Sequence, residues 1–308
     1  MPAAHVSAAD AYPTRPIRLI VPSGAGGVTD ILARILAERM RGSLGQQVVV
    51  DNRPGAGGIV GSDIVAKGVP DGYTLLMVFP SHAVNPSLNA KMPYDSVSDF
   101  APITLVSRVS QVLLVHPSMP VKGVKDLIAY AKARPKQLNF GSVGKGSLGH
   151  LSGELFASQA GLELVHIAYK GAPQIMGALL SSEVQIYFNV PISALSQIRS
   201  GKVRALGVST PERLAVLPEV PTISESGLPG YESIGWNGIL APAKTPRPII
   251  DRIHQEVVAA LRAPDIQAQL TAQAIDSVGN TPEEFAKIIR ADIAKWGEVL
   301  RRAGIRPD

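Results

Sequence analysis

The sequence predicts an α/β fold of two domains, and three observations carry that prediction. Short apolar strands alternate with helical stretches of about ten residues or more, the rhythm of βαβ units and parallel sheets. The chain has 308 residues, 45% of them hydrophobic and 18% charged. That is enough to bury a large core and to fill two domains of ordinary size. Beyond residue 209 the rhythm changes. A connection with several Pro and Gly, residues 210–231, leads to one more apolar strand and then to helices only.

The first strand is expected at 17–21, where Ile17, Leu19, Ile20 and Val21 run into the glycine-rich turn Pro22-Ser-Gly-Ala-Gly-Gly27. A helix over 30–44, starting at Thr29 or Asp30, follows from Ile31, Leu32, Ile35, Leu36 and Met40 on one face. A strand over 47–50 closes in the turn Asp51-Asn-Arg-Pro-Gly55. A helix at 59–66 and strands at 74–79, 104–106 and 112–115 come next. A helix at 124–133, a strand at 138–141 and a helix at 148–160 continue the alternation. Strands at 164–167, 186–188 and 204–209 enclose helices at 174–181 and 192–199. The final strand is expected at 235–241, before helices at 248–262, 264–274 and 282–303.

Those last helices need a sheet to cover. They have one if the strand near 235–241 returns to the first domain. The chain then divides into a first lobe, 12–106 plus 233–308, and an inserted second lobe, 107–232, joined by two crossing segments. Ligands favour such clefts, and hinge closure is a known response there.

A strand, a small-residue loop and a helix start aim free backbone N–H groups at one spot, where the helix dipole favours an anion. Residues 17–30 have this form. The segment Gly141-Ser-Val-Gly-Lys-Gly-Ser-Leu-Gly-His150 repeats it, either as a second anion loop or as a capped turn with Ser147 as N-cap. Gly24 and Gly26 begin a dinucleotide fingerprint, but Thr29 stands where its third glycine belongs, and Asp51 reads as the start of a turn. Lys145 is followed by Gly146, so the spacing of a phosphate-binding Walker loop fails. His82, at the end of a strand, has no Ser in a nucleophile elbow to pair with and reads as a packed or hydrogen-bonding group. Asn85 is the better ligand candidate, since its amide both donates and accepts. The turn Asn52-Arg-Pro-Gly-Ala-Gly-Gly58 either lines the cleft or shapes the domain.

Other classes are disfavoured. There is no cysteine, which removes disulfides, thiolate catalysis and Cys-containing zinc sites. The six histidines form no metal-binding spacing. The net charge of +5 is scattered rather than clustered and aromatics are only 5%, which argues against nucleic acid. No apolar run approaches membrane-spanning length. The first ten residues read as the end of a secretory leader, with Val6-Ser7-Ala8 as a small-residue cleavage site, or else as a polar cytoplasmic tail.

The chain resembles the extracytoplasmic solute receptors of tripartite tricarboxylate transporters, the Bug receptors. The resemblance spans residues 12–305. It is carried by Pro16-Ile-Arg-Leu-Ile-Val-Pro22, Ala25-Gly-Gly-Val-Thr-Asp30, Val49-Val-Asp-Asn-Arg-Pro-Gly-Ala-Gly-Gly58 and Pro70-Asp-Gly-Tyr-Thr-Leu-Leu76. Tyr94-Asp95, Asp99-Phe-Ala-Pro-Ile103, Gly149-His-Leu-Ser-Gly-Glu-Leu-Phe156 and Tyr169-Lys-Gly171 extend it. Arg204-Ala-Leu206, Leu217-Pro-Glu-Val-Pro-Thr222 and Gly227-Leu-Pro-Gly-Tyr231 complete it.

That resemblance implies a type II periplasmic-binding-protein fold, with two α/β lobes around a ligand cleft. It implies a periplasmic, non-catalytic receptor that delivers a small carboxylate to a membrane permease, with no cofactor, no metal and no nucleic acid, acting as a monomer. The alternatives are an α/β enzyme acting on a small organic acid and a sensory receptor for a membrane kinase. Carried onto this chain, the first loop supplies Ser23, Ala25, Gly26, Thr29 and Asp30. The second lobe supplies Ser142, Gly146, Ser147, Lys170 and Gly171, with Ser81 and Asn85 at the side. Asn189 stands where many relatives have an acidic residue, which disfavours a ligand with an ammonium group. Ala168 stands where relatives often have Pro.

Overall fold

The computed structural model describes residues 12–273 and 275–307, and its strands form two separate sheets. The proposed cleavage site at Val6-Ser7-Ala8 lies outside the described residues. In the first half, β1 (Ile17–Val21), α1 (Val28–Leu44), β2 (Val48–Asn52), α2 (Ile59–Ala66), β3 (Thr74–Val78), α3 (Ser81–Leu88) and β4 (Phe100–Val109) follow in order. Next come β5 (Val112–Val115), α4 (Val124–Lys132), β6 (Asn139–Ser142), α5 (Leu148–Ala160), β7 (Val165–Ala168), α6 (Ala172–Leu180), β8 (Ile186–Asn189), α7 (Pro191–Arg199) and β9 (Arg204–Val208). The chain ends through β10 (Gly235–Pro242), α8 (Arg247–Arg262), α9 (Pro264–Ala272), β11 (Ile275–Ser277) and α10 (Pro282–Arg302).

The first sheet has the order β11-β4-β10-β3-β1-β2 and the second β7-β6-β8-β5-β9. The expectation of parallel sheets is corrected, because both are mixed. β1 is parallel to β2 and β3, whereas β10 runs antiparallel to β3 and β4. In the second sheet β6 is parallel to β7 and β8, but β5 is antiparallel to β8 and β9. The cause is topological. β5 and β10 each enter their sheet directly from the other one, so they start where the parallel strands end and run back.

Each sheet is packed on both faces. Leu32, Leu36 and Met40 of α1 join Ile253 and Val257 of α8 on one face of the first sheet, and Val78, Trp236 and Phe285 fill the other. In the second sheet Phe140, Leu151, Phe156 and Phe188 form one core and Val112, Ile175 and Leu179 the other. β10 is buried at every position, as a central strand covered on both sides must be. At Gly238 a Cβ would lie 2.1 Å from Phe285 Cζ, so only glycine lets α10 lie on that strand.

α10 serves both lobes. Thr281 and Glu284 close a capping box at its start, with Thr281 N donating to Glu284 Oε2 at 2.9 Å and Glu284 N to Thr281 Oγ1 at 3.2 Å. Its Phe285 and Ile289 pack on the first sheet, and its Trp296, Val299 and Leu300 on the second. The two chain crossings, 110–111 and 209–234, are stitched by Gln111 N donating to Ser209 Oγ (2.9 Å), Ser209 N to Gln111 O (2.8 Å) and Ser233 N to Ser209 O (3.0 Å).

Three elements depart from the sequence reading. α3 occupies the segment read as a strand end. Its Pro80 caps the helix from outside, while Pro86 lies within it. β4 spans ten residues rather than three, because β10 pairs along its whole length. β11 exists only through its pairing with β4.

Candidate functional site

The loop after β1 is shaped by the side chain of Asp30, which is almost wholly buried. Gly26 N (2.9 Å) and Arg34 Nε (3.0 Å) donate to its Oδ2, and Asn52 Nδ2 donates to its Oδ1 at 2.9 Å. Asn52 Nδ2 also reaches Ser23 O at 3.1 Å. The Arg34 hydrogen bond, helped by the Gly26 and Asn52 donors, holds the Asp30 carboxyl down at about 2. Asp30 therefore stays charged and turned inward. Read from sequence as a ligand group, it has both oxygens committed to the loop itself.

α1 starts at Val28 with Gly27 as N-cap, slightly earlier than Thr29 or Asp30. Its first intrahelical bond is Ile31 N to Gly27 O at 2.9 Å, so the preceding amides of the first turn have no helical acceptor. Thr29 Oγ1 donates to Asn237 Oδ1 of β10 at 2.8 Å, and Asn237 Nδ2 to Ser107 Oγ of β4 at 3.2 Å. Ser23 Oγ is buried with no hydrogen-bond partner among the described residues, a donor ready for an acceptor. Ala25 and Gly26 are exposed.

The neighbouring strand ends gather beside this loop. Gly58 comes so close that a Cβ there would be 3.4 Å from Phe79 Cζ and 3.5 Å from Pro22 Cβ. Asn85 Nδ2 donates to Gly57 O at 3.2 Å, so its amide fixes the 55–58 turn, and Ser81 is buried at the start of the same helix. His82 is buried, its Nε2 paired with Ser96 O at 2.9 Å, and burial lowers its pKa to about 4. It is a packed histidine, as the sequence reading had it.

The second lobe contributes residues 142–147. Ser147 caps α5, accepting from His150 N at 3.4 Å and donating to Gly144 O at 2.7 Å. Ser142 Oγ accepts from Gly144 N at 3.0 Å and lies 2.6 Å from His166 Nε2. Gly146 N donates to His150 Nδ1 at 3.2 Å. A Cβ on Gly146 would stand 3.0 Å from Leu88 Cδ1 and 3.7 Å from Val84 Cγ1, so this loop meets α3 of the first lobe across the cleft.

Lys170 and Gly171 follow β7, beside the same loop, since Tyr169 N donates to Ser142 O at 2.8 Å. Gly171 is the N-cap of α6, and Lys170 is exposed. Asn189 ends β8. Its Oδ1 accepts from Val190 N (2.9 Å) and Tyr187 OH (3.1 Å), which anchors the neutral amide at the strand end. All the predicted residues thus lie at the C-terminal ends of parallel strands, where ligands of open α/β sheets bind. Asn237 and His166 support the site but were not read from sequence, while Asn52 and His150 were read only as members of the 52–58 turn and the 141–150 loop, without a role of their own. Asn237 and His166 act through partners 208 and 24 positions away, which leaves no local pattern. Among the described residues no group of His, Asp and Glu could hold a metal ion.

Two α/β lobes, each ending its parallel strands in glycine-rich loops that face the other, define a type II periplasmic binding protein. The model of the tripartite tricarboxylate transporter family receptor matches residues 32–305, and the chain belongs to that family. It is 38% identical to Protein BugT of Bordetella pertussis, over 99% of this chain and 94% of that one. The structure described as R. palustris Rpa4515 with adipate is similar at 37% identity and TM-score 0.84, covering 96% of this chain and all of that one. MatC from Rhodopseudomonas palustris with bound malate is similar at 30% identity and TM-score 0.80, covering 94% of this chain and all of that one. The chain is a transport receptor of the periplasm, and the family is not one of enzymes.

Proposed function

We propose that this receptor captures a small carboxylate, with dicarboxylates the first class to test, and hands it to the permease of a tripartite transporter. One observation carries the reading. The N-terminal turns of α1 and α5 come from opposite lobes, and Gly146 brings the second loop against α3 beside the first. Two helix N-termini across a cleft suit a ligand with an anionic group. That two relatives are described with adipate and malate supports the same class.

In this reading Ser23 Oγ and the first-turn amides around Thr29, with Ala25 and Gly26 as backbone, hold one carboxylate. Ser147 and the start of α5 hold the other end, with Ser142, Gly146 and Gly171 shaping the wall and Lys170 at the rim. Ser81 and Asn85 form the side. Asn189 leaves the floor neutral, which suits a ligand without an ammonium group. The first lobe, expected at 12–106 with 233–308, runs on to the end of β4 at Val109, so the second, expected at 107–232, is hinged at the two crossings, 110–111 and 209–234, and the receptor works as a monomer that binds no nucleic acid. Closure is favoured only to the extent that the closed form binds better.

A thermal-shift screen against mono-, di- and tricarboxylates, amino acids, aromatic acids and NAD(P) tests this. A carboxylate that raises the melting temperature in a concentration-dependent way supports the receptor. A response to nucleotides alone overturns it.

A further inference from the structure

The segment Gly149-His-Leu-Ser-Gly-Glu-Leu-Phe156 does more than form the first turns of α5. His150 is fully buried and cannot reach a ligand, yet its ring carries a backbone group of the cleft loop. Ser147 is the N-cap and His150 the third residue of the helix. In a capping box the third residue accepts from the N-cap amide. Here it accepts one residue earlier, from Gly146, whose left-handed φ of 76° turns its N–H inward.

We propose that His150 is the positioning residue of the second cleft loop, a fixed neutral acceptor that holds the Gly146 amide while His166 holds Ser142. The inference rests on the carboxylate-receptor reading of the same cleft.

A neutral imidazole that accepts at Nδ1 carries its proton on Nε2. That nitrogen lies 3.5 Å from Glu154 Oε1, one turn further along α5. The His150 and His166 rings are 4.3 Å apart, with Phe140 5.0 Å from His166 and 6.3 Å from His150. A buried ring and a half-buried one at that distance disfavour charge on both at once. Burial is the main cause that depresses both, with His166 and Lys145 adding to the effect at His150 and Lys145 at His166. The acceptor state is thereby kept at neutral pH. Its consequence is geometric. Gly146 touches Leu88 of the other lobe, so the loop's position sets how closely the lobes meet. Binding groups need supporting contacts that hold them to within about half an ångström.

Two measurements test this. In 15N-histidine spectra of the whole protein at pH 7.5, His150 should show a bare Nδ1 coupled to the Gly146 amide and a protonated Nε2. A protonated Nδ1, an imidazolium, or a Gly146 amide exchanging as fast as an open loop would overturn the proposal, and no ligand is needed to see it. Calorimetric titration with adipate and malate then compares variants. His150→Asn, whose Oδ1 takes the place of Nδ1, should bind within about threefold of wild type, and His150→Leu at least about tenfold more weakly. Equal loss in both variants, or none in His150→Leu, would sink the acceptor role. If the wild type binds neither acid, the carboxylate reading fails for them, while the spectra still decide the positioning role. If His150→Leu does not fold, His150→Asn and the spectra carry the decision.

Discussion

The first cleft loop is tied down by charge and the second by neutral rings. Around residues 22–27, a buried carboxylate gathers a guanidinium, an amide side chain and a backbone N–H. Around 142–147, two imidazoles and two serines do the same work without a formal charge. Both loops follow a strand and open a helix, so the local pattern is shared and the support is not. The difference shows in acid. Asp30 is depressed to about 2 from 3.8, chiefly by Arg34. Its stabilisation is full above 3.8 and is lost as pH falls through 2. His150 and His166 are depressed by burial to about 3 and 4 from 6.5. The unfolded chain takes up their protons first, so stability is full above 6.5 and falls as pH drops toward 4 and 3. The second loop should loosen first on acidification.

Breaking the charged knot has the largest expected effect. Asp30→Ala removes the acceptor that three donors share, and should cost about 2 kcal/mol in denaturant melts, a moderate figure because Asn52 keeps Ser23 O and Arg34 is half exposed. Ligand affinity should fall by at least about tenfold in calorimetry. An unchanged affinity would mean that the knot does not shape the site. Next is Gly26→Val. Gly26 has φ 84° and nothing within 4 Å of a Cβ, so the effect is purely one of backbone conformation, about 1–3 kcal/mol. Binding should weaken about tenfold while the protein stays folded, and Gly26→Asn, which tolerates that conformation, should be milder.

For the serine cap of the neutral loop the expected change is smaller. Ser147→Ala removes an N-cap and should cost about 1 kcal/mol, with a binding loss of about fivefold. A loss as large as that of Asp30→Ala would erase the contrast between the loops. The smallest effect sharpens it. Burial raises Glu154 to about 7 from 4.5, so its contribution is full below 4.5 and is lost as pH rises through 7. Glu154→Gln should therefore raise the melting temperature at pH 8 by roughly 2–5 °C and leave it nearly unchanged at pH 4.5. A rise at both pH values would place the benefit outside Glu154 ionisation.

Much of this was legible in advance. β1, β5, α2 and α5 lie at their expected bounds, because apolar runs, glycine turns and the Ser147 cap are local signals. α3 was missed because its segment read as the end of a strand, with Pro80 just before the helix and Pro86 inside it. β11 was hidden because three residues carry no pattern until β4 pairs with them. At the site, the glycine loops and their serines were legible, whereas the inward turn of Asp30 was not. A carboxylate at a helix start reads alike whether it faces ligand or loop.

By itself, the sequence determined the strand–loop–helix units, the two glycine loops and the return of a strand after residue 234. All of these follow from residue types within a few positions of one another. Only the tertiary structure decided strand direction, the meeting of Gly146 with α3, and the partners of each loop. Thr29 finds Asn237 across 208 positions, and Ser142 finds His166 across 24. Such contacts form only once both sheets have brought distant segments together, and a local pattern carries no record of which partner will be there.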